Sequence, residues 1–383
     1  MSVSEAIATE EYPASYLERQ LPEEPPSIDE LLERRQKPLT PGWLLDFGTQ
    51  EGVDVYNSSV PIKYGDKRLV VVREEKRKDE FSSQNRFFSH DSDDRFCLET
   101  NISNLSKLSL RWICQDPSLA HIQRNWIITQ VEVDPESIND ASQDVRHHSA
   151  IYAGERLDSL RLIAESPDDM KGVRLVELKD GRIGIFTRPR CPGDPARGGS
   201  GKIGFTVVES LEQINSDILA AAPLIPGLYS DDDKEWYGVN DTFLLPNGDL
   251  AVLGHIAHYE ESEIEDNRGY YPIFFTFNPN SRQVNYLQIL ATVADFQFNG
   301  LVEAKRPDLE NVFYPSALWF PNDDIKSSCA ALMGGAKDSK MAAIYIPNPL
   351  EGWLKAHPEY DVQSLGRPRS YLQRKVLAGS LAA

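Results

Sequence analysis

Val173-Arg174-Leu175-Val176-Glu177-Leu178, then Lys179-Asp180-Gly181-Arg182, then Ile183-Gly184-Ile185-Phe186-Thr187 is the stretch that decides the fold class. Two short runs rich in branched and aromatic residues flank an Asp-Gly turn, which is the pattern of a hairpin. The same pattern returns at Pro246-Asn247-Gly248-Asp249, where an Asn-Gly turn precedes an apolar run. Working outward, further strands are predicted at 68–72, 126–131, 203–208, 249–256, 273–277, 284–290 and 342–346, separated by Gly, Asn, Asp and Pro. One strong helix is predicted. Ser210-Leu211-Glu212-Gln213 has capping-box spacing, and Leu211, Ile214, Ile218 and Leu219 share a helical face that ends near Ala222.

Strand clusters without βαβ alternation point to an all-β chain. Of the 383 residues, the all-β part of roughly 320 is too long for one sandwich, and five propeller blades of about 64 residues fit it best. The expectation is therefore a five-bladed β-propeller with an N-terminal extension and one inserted helix. Two tandem β-domains are the alternative, because no sequence repeat stands out. Residues 1–40 carry nine acidic residues, four basic ones and five prolines, a composition poorly suited to a packed core. They are assigned as an acidic, proline-rich extension, and 41–383 as the propeller. Within the extension, Ser27-Ile28-Asp29-Glu30 again has capping-box spacing before Leu31-Leu32.

Forty Lys and Arg against fifty-nine Asp and Glu leave a formal net charge of −19, which disfavours nucleic acid and anionic membranes as partners. No apolar run approaches the roughly 18 residues of a spanning helix, and the N-terminus is acidic, so a soluble, cytoplasmic protein is expected. Cys97, Cys114, Cys191 and Cys329 are far apart and read as reduced packing residues. Gly199, Gly201 and Gly204 form a formal G-x-G-x-x-G, but a strand follows where a nucleotide fingerprint needs a helix, so the glycines read as a turn. His255 and His258 would point to opposite faces of one strand. No metal and no cofactor is expected.

Against the acidic background one stretch is basic. Lys179, Arg182, Arg188, Arg190, Arg197 and Lys202 face only Asp180 and Asp194, and Lys171 and Arg174 lie just upstream. Such a stretch is either a solvated hairpin surface or an anion cradle, since Arg forks and Lys ammonium groups match phosphate oxygens. In Arg73-Glu74-Glu75-Lys76-Arg77 alternation puts Arg73, Glu75 and Arg77 on one face, as a charged strand end or as a set that holds sugar hydroxyls. Gln115-Asp116-Pro117 is either a turn or a carboxylate placed for proton transfer.

Nine segments occur together and in order: Asp54-Val55-Tyr56-Asn57, Arg73 to Arg77, Gln115-Asp116-Pro117, Met170 to Leu175, Ile185 to Pro189, Gly201 to Phe205, Glu235 to Asn240, Gly254-His255-Ile256-Ala257, and Lys305-Arg306-Pro307-Asp308-Leu309. From Asp54 to Pro349 the chain thereby resembles the five-bladed propeller proteins related to the β-mannoside phosphorylases of glycoside hydrolase family 130. It is similar in the same way to the β-1,2-mannosyltransferase/phosphorylases of trypanosomatids, glycosyltransferase family 108. The resemblance implies an inverting reaction on mannose, with Asp116 as proton donor or acceptor. It also implies a phosphate site at Lys171, Arg174, Arg188 and Lys202, and sugar contacts from Asn57, Arg73, Glu75, Asn240, Asp241, His255, Asp308 and Asp338. Implied partners are a small sugar with inorganic phosphate, a sugar phosphate or GDP-mannose. Three positions depart from the family pattern: Asp241 stands where relatives carry Glu, Tyr314-Pro315-Ser316-Ala317 replaces a glycine-rich turn, and Glu74 replaces Val. One acid and many arginines suit an enzyme whose nucleophile arrives already charged, whereas a hydrolase needs a second carboxylate. A hydrolase would draw that carboxylate from Glu75, Asp241, Asp308 or Asp338. The remaining alternative is a non-catalytic sugar- or protein-binding propeller.

Overall fold

The computed structural model describes residues 25–90, 95–100, 102, 111–138, 145–191, 193–194, 199–228, 234–298, 300–321 and 324–359. Residues 1–24 of the extension, Arg197 and Gly198 of the basic stretch, and 360–383 lie outside them. The chain is mostly β. Among the described residues its strands can be grouped along the chain into five consecutive runs, which form three sheets. The first holds β1 (Trp43–Leu44), β2 (Val53–Ser58), β3 (Ile62–Tyr64), β4 (Lys67–Lys76), β5 (Asp79–His90) and β6 (Phe96–Leu98). The second holds β7 (Ile113–Ile122), β8 (Asn125–Val133), β9 (His147–Gly154) and β10 (Arg161–Glu165), and the third β11 (Arg174–Glu177), β12 (Ile183–Thr187) and β13 (Gly204–Val208). The fourth holds β14 (Glu235–Leu244), β15 (Leu250–Tyr259), β16 (Arg268–Phe277) and β17 (Val284–Ile289), and the last β18 (Asn311–Trp319), β19 (Cys329–Ala336) and β20 (Lys340–Pro347).

Successive strands within a run pair antiparallel, except that β2 and β3 both pair with β4 and β1 joins β20. The second and third runs are separate sheets of four and three strands. The others merge into one 13-stranded sheet through two short parallel contacts, β16 with β18 and β2 with β20. Among the described residues no sheet closes on itself through hydrogen bonds. With β2 taken as the first strand of its run, because β1 joins β20, the first strands nevertheless touch in chain order: β2 meets β7, β7 meets β11, β11 meets β14, β14 meets β18, and β18 returns to β2. Apolar side chains fill the space between neighbouring runs. Phe186, Phe205 and Phe277, all fully buried, pack ring to ring at 4.8–5.8 Å and tie the third run to the fourth.

Both expected hairpins form, and one local expectation is corrected. Both Asp180-Gly181 and Asn247-Gly248 turn their hairpins, but in three-residue loops. Leu178 N donates to Arg182 O and Leu245 N to Asp249 O, and in each loop only the Gly takes positive φ (86° and 99°). A two-residue Asp-Gly or Asn-Gly turn would require positive φ at both residues. The inserted helix is broken. Leu211–Gln213 is a single 3-10 turn without a side-chain cap, because Gln213 Oε1 accepts from Glu209 N instead of closing the box on Ser210. Ile214 turns extended into the core, and a new helix, Ser216–Ala220, is capped by Asn215 Oδ1 accepting from Ile218 N. The helix Ile28–Arg34 carries the predicted capping box, with both arms made between Ser27 and Glu30. Its Ile28 and Leu31 are buried in the same cluster as Phe186 and Phe277. None of the four cysteines is bridged. Among the described residues no helix is long and apolar enough to cross a membrane, which says nothing of a β-barrel.

Candidate active site

Four of the first strands are interrupted by bulges. Register slips between Tyr56 and Ser58 in β2, Gln115 and Ser118 in β7, Val239 and Asp241 in β14, and Pro315 and Ala317 in β18. The residues left over are Asn57, Asp116 with Pro117, Asn240 and Ser316. Bulges re-aim side chains and bend the strand. The residue types suit this: Asn57 and Asp116 adopt positive φ (49° and 44°), which Asn and Asp tolerate better than most residues, and Pro117 has no N–H for a ladder.

These bulges bring the predicted residues together. Asp116 Oδ1 accepts from Asn57 Nδ2 at 2.9 Å and from Arg73 Nη1 at 3.3 Å. Burial pushes the Asp116 carboxyl upward, but the Arg73 guanidinium, the Asn57 hydrogen bond, and Lys171 and Arg174 outweigh it, so the group sits below the ordinary carboxylate value. Arg73 is buried rather than a surface strand end. Its Nε donates to Ser83 Oγ at 2.7 Å, its Nη2 to Glu75 Oε2 at 3.0 Å, and its guanidinium lies 4.9 Å from the centre of the Tyr56 ring. Glu75, equally buried, accepts from Lys305 Nζ at 2.9 Å, and Lys305 also donates to Tyr56 OH at 2.7 Å. Burial would raise the Glu75 carboxyl, but Arg73 and Lys305 hold it below its ordinary value. Arg77 departs from this face and pairs with buried Asp54 at 2.9 Å.

The cations reach the same place from the third run. Arg174 spends its donors on neutral oxygens: Val173 O at 2.9 Å, Asn240 O at 3.3 Å, Thr129 Oγ1 at 3.4 Å and Asp116 O at 3.5 Å. It thus braces two bulges at once. Arg188 has no salt bridge or side-chain hydrogen bond among the described residues. It passes between Gly172 and Gly201, where a Cβ on Gly201 would come within 2.9 Å of its Nε. Burial lowers its affinity for a proton, with Tyr270, Tyr314 and Asp116 opposing. Lys171 is pushed down to about 8 by burial and then by Arg188, while Asp116 pulls it up. Crowded cations of this kind favour an arriving anion. Lys202 is buried and follows Gly201 in the chain.

His255 Nδ1 donates to Asn240 Oδ1 at 2.7 Å, leaving Nε2 as the acceptor nitrogen. Burial, then Arg188 and Arg174, hold the ring well below its ordinary value, so it is neutral at physiological pH. It stacks on Tyr270 at 5.5 Å and leans on Tyr314 at 5.0 Å, and it lies against Gly238, where a Cβ would stand 2.4 Å from its Cε1. Gly238→Ala must therefore displace the imidazole. The expected cost is about 1–3 kcal/mol, read in urea denaturation, together with loss of the His255–Asn240 bond in the NMR spectrum.

Asp338 sits in the hairpin between β19 and β20 at φ 49°. Burial raises its carboxyl above the ordinary value, Lys305 and Arg73 opposing and Asp116 and Glu75 reinforcing, so it belongs to the same electrostatic cluster. Two expected residues have other neighbours. Asp308 pairs with Arg306 at 3.1 Å and Arg268 at 3.8 Å. Asp241, one residue past its bulge, lines a cavity of about 700 Å³ together with Arg174, Asn240, Trp126 and Trp319, a lining that Asp116 does not join. Residues that sequence reading missed are Lys305, Tyr56, Ser83 and Ser316, whose Oγ accepts from Ser58 N at 3.0 Å. Lys305 opens the segment that nominated Asp308, and it is buried, where a lysine has to find a carboxylate.

A family model described as "Protein of unknown function (DUF1861)" matches residues 32–352. Among solved structures, a mannose phosphorylase from Leishmania mexicana in complex with phosphate ion aligns with a TM-score of 0.69 at 28% identity, covering 82% of this chain and 91% of that one. A hypothetical protein from Leishmania major aligns with a TM-score of 0.65 at 27% identity, with 82% and 91% covered. A GDP-Man-dependent mannosyltransferase from Leishmania mexicana aligns with a TM-score of 0.69 at 23% identity, with 85% and 96% covered, a likeness in fold. No curated protein sequence matches the chain. With bulges, cations and fold in place, the chain belongs to the DUF1861 family, and its structural neighbours include a mannose phosphorylase and a mannosyltransferase of Leishmania.

Proposed function

We propose that the chain is an inverting enzyme of β-mannosides that exchanges mannose between a sugar hydroxyl and phosphate, with GDP-mannose as a second donor. In this reading the five strand runs are blades of a propeller, residues 1–40 are its extension, and the first strands surround the site. One observation carries it: an ionised carboxylate pinned on a bulge faces a set of cations, of which Arg188 is held by no carboxylate among the described residues. The 28%-identical relative with a bound phosphate ion supports the assignment of those cations to phosphate.

In phosphorolysis a phosphate oxygen bonds to the anomeric carbon from the face opposite the glycosidic oxygen. The glycosidic bond breaks, and the departing oxygen takes the proton held by Asp116. A β-linkage therefore yields α-mannose 1-phosphate. In the reverse direction Asp116 removes the acceptor hydroxyl proton while phosphate leaves onto Lys171, Arg188 and Lys202. The depressed Asp116 carboxyl suits this base role in the free protein, and the arriving phosphate offsets the cations that depress it. Arg174 and Arg73 fix the geometry, and Asn57, Glu75, Asn240, His255 and Asp338 supply sugar contacts. With GDP-mannose the departing diphosphate occupies the same cations. Incubation with α-mannose 1-phosphate and a mannose acceptor is expected to release inorganic phosphate; release that is equal without acceptor would sink the reading.

The Lys171 ammonium adds a pH signature. It is needed in its charged form and is held near 8, so KM for phosphate should rise above pH 8, by up to tenfold per unit. Lys171→Met should raise KM at neutral pH and flatten that limb, and an unchanged profile would remove Lys171 from the phosphate site. Asp338 favours one rival, a hydrolase of the same fold, because it is a second carboxyl in the field of Asp116. That rival predicts free mannose at a rate independent of phosphate.

A further inference from the structure

Away from the phosphate cations, three side chains on adjacent strands of the second run converge. Glu132 on β8 stands directly opposite His148 on β9, and Glu165 at the end of β10 pairs with Ala150, two residues along the same face. His148 Nε2 lies 3.7 Å from Glu132 Oε2 and 3.4 Å from Glu165 Oε1, and the three ligand-type atoms all fall within 4.8 Å of one another. His148 is only 7% exposed, yet its Nε2 has no hydrogen-bond partner. The Trp112 ring, edge to face at 4.9 Å, holds the imidazole in place.

We infer that Glu132, His148 and Glu165 form a binding site for one first-row divalent cation. Atoms bound at about 2.0–2.1 Å to a tetrahedral zinc ion stand about 3.3 Å apart along the edges of the tetrahedron. The spacings of 3.4 and 3.7 Å around His148 Nε2 need only a slight contraction to meet that value. The donor set of one imidazole and two carboxylates suits Zn²⁺ and its neighbours, whereas an all-oxygen set would be expected for Mg²⁺ or Ca²⁺. Second contacts orient the ligands, as metal sites require: Glu132 Oε1 accepts from Gln130 Nε2 at 2.8 Å and from Tyr152 OH at 2.7 Å. Glu165 is exposed, which gives an ion an entry path and leaves room for water as a fourth ligand.

The site is linked to the catalytic bulge. Gln130 Oε1 accepts from Asn85 Nδ2 at 3.0 Å, and the same nitrogen reaches Gln115 O, next to Asp116, at 3.5 Å. A cation that fixes Glu132 therefore fixes one end of a side-chain chain that ends at the bulge. The inference does not depend on the reaction assigned to Asp116.

The test is calorimetric titration of tag-free protein, stripped with EDTA and dialysed, with ZnCl₂, and with MgCl₂ for comparison. Expected is one Zn²⁺ per chain at a Kd of micromolar or below, with Mg²⁺ at least a hundredfold weaker. Glu165→Gln, at an exposed position that the fold tolerates, should weaken Zn²⁺ at least tenfold, and His148→Gln at least a hundredfold. His121→Gln, at an exposed histidine elsewhere, should bind as wild type does. Absence of saturable Zn²⁺ binding up to millimolar concentration would overturn the inference, as would wild-type affinity in both Glu165→Gln and His148→Gln.

Discussion

Asp116→Asn is expected to lower kcat by about 10²–10⁴-fold, the range that a positioned acid or base contributes, while the protein stays folded and still binds phosphate. Asn is the informative replacement. It tolerates the φ of 44° that would strain Ala or a branched residue, and its Oδ1 can still accept from Asn57. Removing the negative charge also removes the carboxylate that opposes the crowding of Lys171 and Arg188, so phosphate should bind at least as tightly as before. The sign for stability follows from the depressed carboxyl: its contribution is present above the unfolded value of 3.8 and lost as pH falls through the folded one. At neutral pH the variant should therefore be modestly less stable than wild type, and the two should converge in acid. Steady-state rates, phosphate calorimetry and urea midpoints read the three effects separately. A variant with full turnover would show that the proton moves through another group, of which Asp338 is the nearest candidate.

Lys305→Met should cost about 3–5 kcal/mol in urea denaturation, because it leaves the Glu75 carboxylate without one of its two buried cations. Glu75 has no exposed side-chain surface and Lys305 only 2%, so water cannot replace the lost partner. Tyr56 loses its donor at the same time. The double variant Glu75→Gln, Lys305→Met should recover a large part of the loss, since the two residues share one interaction. Additive losses would mean that Lys305 stabilises through packing rather than through charge.

The two kinds of strand differ in how plainly they read. β12, β15 and β16 each hold a compact apolar stretch, at 183–186, 250–253 and 273–275, and their positions follow from it. β2, β7, β14 and β18 do not, because Asn57, Asp116-Pro117, Asn240 and Pro315-Ser316 break the period of two at the bulges. Among β2, β7, β11, β14 and β18, only β11 carries no bulge, and only β11 is found by periodicity. The device that makes the site thus hides the strand that bears it. β19 is hidden for a different reason: Cys329-Ala330-Ala331-Leu332-Met333-Gly334-Gly335-Ala336 has few β-forming residues, and Gly334 is required where Tyr314 O would meet a Cβ at 2.4 Å.

Chemistry was legible where it is local in sequence. The basic stretch around Arg188 and the Asp-Pro dipeptide at 116 stand out from their neighbours. Lys305, far along the chain from Glu75, does not, and neither does the Glu132, His148 and Glu165 cluster, whose members become neighbours only through strand pairing. Residue spacing along the chain alone therefore points to no metal. Asp308 is the reverse case, since its segment is legible while the pairing of its carboxylate with Arg306 and Arg268 is not.

Phosphorus NMR of the protein with β-1,2-mannobiose and inorganic phosphate tests the central claim most directly. The account predicts that the inorganic phosphate signal declines while α-mannose 1-phosphate grows in equal amount, and that Asp116→Asn suppresses both changes. Free mannose appearing at a constant phosphate signal, or β-mannose 1-phosphate as the first product, would contradict it.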